Sequence, residues 1–389
     1  MAAGLGSAGA LLSSCGEDEP VKCRFTESRE LPEGLATSLS GAKLLAANGN
    51  FVLAGIDGTT VQWVPVSANG ELSAASTFVL TEPTALAPQL ALTGRATPGD
   101  QLVAVYGTAD AEGQLTLRAV TQVAGEAAAA PVTVATLPRG LASGDVRLAV
   151  GSTRTGSRAL LAFGLASQPG TKLQTLVLGA NAAPVGPALE FPPGVPSWQC
   201  LQFLPSRTDW VLSWVEVPPT GNAKIVIQEG SASNGALTRY NVGLGTNDVG
   251  CPVMGPSSRG YVMSWQTKTG TWVLDYETNA TGVIPEFVAG TIRFGGPEQQ
   301  PPVSGVASMG LRSAVTFGVK EGPEVWLFDI FGAREGRELK LPSSVGSVGL
   351  VSTWPVDDAF FVTYREGVPA ASGPSEGPRR FMKVDCPAE

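Results

Sequence analysis

Apolar residues in this chain fall into short runs of alternating pattern, broken every few residues by Gly, Pro, Asn or Asp. No stretch keeps the spacing of a long amphipathic helix, so strands are the predicted elements throughout. One pattern returns seven times, opening at Phe51, Leu102, Ala159, Trp210, Tyr261, Ser313 and Phe360, at intervals of 51, 57, 51, 51, 52 and 47 residues. The clearest pair is Trp210-Val-Leu-Ser-Trp214 against Tyr261-Val-Met-Ser-Trp265. In six copies the fifth residue is aromatic (Tyr106, Phe163, Trp214, Trp265, Phe317, Tyr364), whereas the first copy has Gly55. Alternate residues of a strand share a face, so the first and fifth positions point toward the same neighbour. This stripe reads as core rather than as a ligand site.

Each copy passes through a turn such as Asp57-Gly58, Glu112-Gly113, Pro169-Gly170, Gly221-Asn222, Thr269-Gly270 or Glu321-Gly322 into a partner strand. The predicted partners are Val61–Val66, Gln114–Val120, Leu173–Leu178, Lys224–Gln228, Thr271–Tyr276, Glu324–Ile330 and Arg380–Asp385. The seventh connection, Glu366 to Pro378, is long and rich in Gly, Pro and Ser, and is expected to be a surface loop. A shorter strand precedes most copies, as at Lys43–Ala47, Gln89–Thr93, Val146–Val150 and Leu201–Leu204. Another follows the hairpin, as at Ser76–Leu80, Val132–Ala135, Ala188–Phe191, Thr238–Val242 and Glu286–Ala289.

Four antiparallel strands per repeat, seven times over, resemble the seven-bladed β-propeller class. Seven blades of about 51 residues need about 357 residues, and Pro20 to Cys386 supplies 367. The Gly-His and Trp-Asp dipeptides of WD40 blades are absent. The resemblance implies a single all-β domain over residues 21–389. The last blade lacks a fourth strand after Cys386, and Val21–Thr26 is expected to supply it by docking beside Arg380–Asp385. That pairing would leave no open sheet edge.

Cysteine register sharpens the picture. Cys23 and Cys386 fall on the two strands that closure makes neighbours. Cys200 and Cys251 are 51 residues apart, each ten residues before its copy of the motif, so they occupy equivalent places on adjacent inner strands. Both pairings are expected as disulfides, and both imply an oxidising compartment. The competing reading is four buried free thiols in a reducing compartment. With no His and no closely spaced Cys pair, no metal site is expected.

The remaining cysteine ends the run Leu12-Ser13-Ser14-Cys15, after a small-and-apolar stretch from Ala2. This resembles the lipobox of bacterial lipoproteins, which implies a signal-like segment at 1–15, lipidation of Cys15 and a polar tether at 16–20. No positive charge precedes Cys15, a departure that a start upstream of Met1 would explain. A tail with a chance cysteine is the alternative. The rest of the chain has no apolar run of about 18 residues, so a membrane is expected to be reached through the lipid alone.

The formal net charge is −8 and no dense Lys/Arg run occurs, which argues against nucleic acid as a partner. Zero histidines remove Ser-His-Asp and Cys-His catalysis and histidine ligation. Gly290–Gly296 has no phosphate-loop context, and Asp357-Asp358 reads as a turn. No catalytic residue and no cofactor are expected. The face where loops enter the inner strands is the expected binding face, carrying Trp198, Gln199, Asn247, Asp248, Glu298, Gln299 and Gln300, with a plug packed on the neighbouring blade as the other reading of Trp198. The reading is a monomeric, lipid-anchored module of the bacterial cell envelope that binds a protein or glycan partner without catalysis. Its rival is an extracytoplasmic hydrolase or lyase with carboxylates in the axial channel.

Overall fold

In the computed structural model all seven predicted hairpins form. The structure describes residues 23–386 other than 27, 38–42, 48, 95–98, 154, 167–172, 192–197, 205–209, 219, 231–236, 244–250, 257–259, 268–269, 278–286, 293–302, 310–311, 320–321, 330–338, 341–351, 357–358 and 366–377. Among these residues the strands make seven antiparallel sheets, six of four strands and one of five. The first comprises Lys43–Ala47, Asn50–Asp57, Thr60–Val66 and Ser76–Val79, and the order repeats along the chain. The innermost strands are Lys43–Ala47, Leu86–Gly94, Val146–Ser152, Trp198–Leu204, Val253–Pro256, Val303–Met309 and Ser352–Val356. They neighbour one another in that order, and the last returns to the first.

Parity along the second strand of each sheet decides how the sheets stack. Leu102 and Tyr106 point back to the first sheet and join Val52, Ala54 and Trp63. Val103 and Val105, one residue out of phase, point forward and meet Ala159, Leu161 and Phe163 of the third sheet. Trp210 and Trp214 repeat the backward contact against Leu160 and Ala162, and Phe360 and Tyr364 do so against Ala314, Val325 and Leu327. Both faces of these strands are therefore buried, which explains runs such as Ala159–Leu165, in which all seven residues are buried. The fifth-position aromatics Tyr106, Phe163, Trp214, Trp265 and Tyr364 all lie in the core.

The ends of the described chain meet in one sheet. Arg24 and Phe25 pair with Asp385 and Val384, and Arg29 and Glu30 pair with Phe381 and Arg380. Between the two pairs, the Thr26 hydroxyl accepts from the Lys383 N–H at 2.9 Å while the Thr26 N–H donates to the Lys383 carbonyl at 2.9 Å. The Leu31 N–H continues the ladder to the Arg379 carbonyl, also at 2.9 Å. Sequence reasoning found the first of these pairs but not the second, nor the short helix Glu33–Thr37 that follows. Leu31 and Leu35 of that segment insert among Phe51, Leu53, Phe361 and Phe381, wedging the last sheet to the first. The Phe51 and Phe361 rings meet edge to face with centroids 5.4 Å apart.

Both expected disulfides are present, Cys23–Cys386 and Cys200–Cys251. They span 363 and 51 residues. In the chain-entropy limit these loops correspond to about 6 and about 4 kcal/mol, before any native-state strain is subtracted.

One buried carboxyl stands apart. Glu229 shares a face with Ile225 and Ile227, toward the fifth sheet. It is 3 % exposed, and its Oε1 has no hydrogen-bond partner among the described residues. Burial pushes its pKa up to about 7 from an ordinary 4.5. A raised carboxyl pKa stabilises the fold where the group is neutral in both states, and that stability drains away as pH rises from 4.5 to 7.

Two outcomes are expected from thermal unfolding. Cys23→Ser should lower the melting temperature by about 5–10 °C and Cys200→Ser by less, whereas identical melting with and without reductant would contradict both crosslinks. Glu229→Gln should melt a few degrees above the parent at about pH 8, and the difference should vanish near pH 4.5. A gap of constant size across that range would show that Glu229 does not titrate as described.

Candidate functional site

Inner strands of the first four sheets and the segment entering the fifth line an open cavity of about 390 Å³ on the inner side of the ring. Its position follows from register. Lys43 lies opposite Ala54, Gln89 opposite Val105, Ala149 opposite Ala162 and Gln202 opposite Ser213. Each of those partners is the fourth residue of its copy of the motif. Lys43, Gln89, Ala149 and Gln202 therefore occupy one layer of the ring, and all four line the cavity. Leu45, Leu90, Val150 and Phe203 supply an apolar wall beside them.

One side of the wall is crosslinked. In the fourth sheet the register jumps from Gln199 opposite Val215 to Gln202 opposite Ser213, the mark of a β-bulge. Cys200 sits in that bulge with φ of +61°, a conformation that costs an L-residue roughly 1–3 kcal/mol. The bulge re-aims the cysteine, and its sulfur bonds that of Cys251 with the two Cα atoms 5.3 Å apart. Two residues on, the Gln202 Nε2 donates to the Pro252 carbonyl at 3.0 Å. The disulfide and this bond together fix the inner strand of the fourth sheet to the segment that enters the fifth.

Electrostatically the cavity contrasts with the acidic chain around it. Among the described residues that line it, Lys43 carries the charge and none is Asp or Glu. The Lys43 side chain reaches solvent in the cavity, yet the surrounding walls crowd its ammonium and hold its pKa below the ordinary lysine value. The cavity thus offers one cation, two carboxamides and an aliphatic-aromatic surface.

Of the expected binding face, Trp198 takes the plug position and not the exposed one. Trp198 is 2 % exposed and packs among Leu160, Phe191, Trp210 and Trp214 between the third and fourth sheets. The reason is parity: as the first residue of its strand it turns its indole outward from the axis, into the junction. Gln199 is exposed at the start of the same strand. Asn247, Asp248, Glu298, Gln299 and Gln300 lie outside the described residues, as do Cys15, the 16–20 tether and Asp357-Asp358. Sequence reasoning missed Lys43, Gln89 and Gln202. The sequence carries a partial signal, since Lys43 and Gln202 each stand eight residues before their motif copies, whereas Gln89 joins them only through its observed pairing.

No family model matches the chain, and no curated protein matches it in sequence. Solved structures do match. Polysaccharide lyase Uly1 is 9 % identical, with 92 % of this chain and 91 % of that one covered and a TM-score of 0.50. The β-propeller domain of the Trilobed protease from Pyrococcus furiosus is 10 % identical, covering 91 % of this chain and 95 % of that one at a TM-score of 0.46. A puromycin-hydrolyzing peptidase of Mycobacterium tuberculosis is 12 % identical over 88 % of this chain, at a TM-score of 0.48, and the chain spans only 52 % of its length. The structural neighbours are β-propeller proteins of diverse function, and at such identity they show the fold alone.

Proposed function

We propose that the chain is a seven-bladed β-propeller of the bacterial cell envelope, anchored by lipid on Cys15, whose axial cavity binds a protein or glycan partner without altering it chemically. Seven sheets whose inner strands neighbour one another in cyclic order support the blade count. Two disulfides support an oxidising compartment. Residues 21–389 form the propeller in this reading, behind a 16–20 tether and a 1–15 signal-like segment. Short outer edge strands, such as Ser76–Val79 and Leu189–Phe191, favour a monomer.

The Cys200–Cys251 staple carries the binding reading. A covalent bond in a cavity wall, set on a strained bulge, holds that wall in place before any partner arrives. Binding then loses less conformational entropy, so a modest set of contacts gives useful affinity. Aliphatic and aromatic surface with a few convergent polar groups is the ordinary composition of a ligand pocket.

The test uses the oxidised full-length chain on a glycan array and against envelope extracts. Leu90→Trp, which fills the cavity, should weaken the captured interaction at least about tenfold, or about 1.4 kcal/mol, at an unchanged melting temperature. A partner held equally well by that variant would place binding elsewhere, and cleavage of a captured glycan would replace this reading with the hydrolase or lyase. In cells, Cys15→Ser should move the protein from the membrane to the soluble fraction.

A further inference from the structure

Resting on the proposal that the axial cavity is a binding site, we infer that its ligand is a small hydroxylated monocarboxylate of the sugar-acid class, with the carboxylate on Lys43. The layer that holds Lys43 also holds Gln89 and Gln202, and among the described residues lining the cavity no acidic side chain competes for the ammonium. An ammonium with no acidic neighbour among the described residues of the cavity gains a charge-assisted hydrogen bond when a carboxylate enters.

The charge count selects the anion. One ammonium balances a single negative charge, whereas a phosphate dianion would leave excess charge in a partly enclosed cavity with neutral amides as its other polar groups. The amides select hydroxyls. Gln202 uses one N–H on the Pro252 carbonyl, which leaves its carbonyl oxygen and second N–H for a ligand. Among the described residues nothing engages the Gln89 carboxamide, and a carboxamide can donate to and accept from a hydroxyl at once. The apolar wall of Leu45, Leu90, Val150 and Phe203 suits the C–H face of a sugar ring. At about 390 Å³ the cavity is at the small end of ligand pockets, which run from about 300 to 1,000 Å³. That size favours one or two rings over a folded peptide.

Isothermal titration of the oxidised full-length chain with D-glucuronate, D-glucose and acetate tests this assignment. Glucuronate should bind at least about tenfold more tightly than either of the others, since glucose lacks the charge and acetate lacks the hydroxyls and ring. Lys43→Met should erase the advantage of glucuronate over glucose, and Lys43→Arg should keep most of it. Gln202→Ala should weaken glucuronate and glucose alike. Equal affinity for glucuronate and glucose in the parent overturns the inference without needing any variant to fold, and so does an undiminished advantage in Lys43→Met. Acetate binding as tightly as glucuronate overturns the sugar-acid assignment. If the glycan array finds a neutral partner that Leu90→Trp weakens while glucuronate does not bind, the carboxylate inference falls and the binding-module reading stands.

Discussion

Everything in this structure depends on the pairing of its first described segment with its last strand. Sheets that stack side by side around an axis bury both faces, but the array stays open until the final sheet packs on the first. Here the closing sheet borrows its outer strands from the N-terminal end: Arg24–Phe25 and Arg29–Glu30 lie on Arg379–Asp385. Thr26 bridges the step between them with its hydroxyl, and the Cys23–Cys386 bond makes the seam covalent. Leu31 and Leu35 then close the adjoining gap by packing on Phe361 and Phe381. The helix Glu33–Thr37 exists because the chain must turn from this seam into the first sheet with Leu35 inward.

The cavity is a consequence of closure. Inner strands held around an axis present one layer of side chains inward, and their register sets which residues share a layer. Small residues such as Ala149 leave space, and longer polar ones such as Lys43, Gln89 and Gln202 furnish it. The bulge at Cys200 is a local departure from the repeat, and it falls where a disulfide and a hydrogen bond cross to the fifth sheet. Strain of that kind persists only when the surrounding structure holds it, and such sites are where binding groups tend to gather.

Much of the fold was legible in the chain because the same apolar run, followed by a turn and a second run, returns at a long and nearly constant period. Strand Leu173–Leu178 and strand Lys43–Ala47 occur with the predicted bounds, and others differ by up to three residues at an end, as Leu86–Gly94 does from the predicted Gln89–Thr93. The pairing of Cys200 with Cys251 followed from equal offsets to successive motif copies. The candidate site was less legible, for two reasons. Trp198 stands one parity step from the axis, and an indole beside Pro and Gln gives no sign of which way its strand will turn it. Lys43 and Gln202 each lie eight residues before their motif copies, but Gln89 lies thirteen before its own, because the connection between first and second strands is longer there. Only the actual pairings put them in one layer.

The seam can be read directly by hydrogen–deuterium exchange on the oxidised full-length chain. The account predicts that amides of residues 24–31, those of Thr26 and Leu31 above all, exchange as slowly as amides of the inner strands. They should become the first to exchange when the Cys23–Cys386 bond is reduced. Exchange of 24–31 at unfolded-chain rates in the oxidised protein, with the inner strands still protected, would contradict the claim that this pairing holds the ring closed.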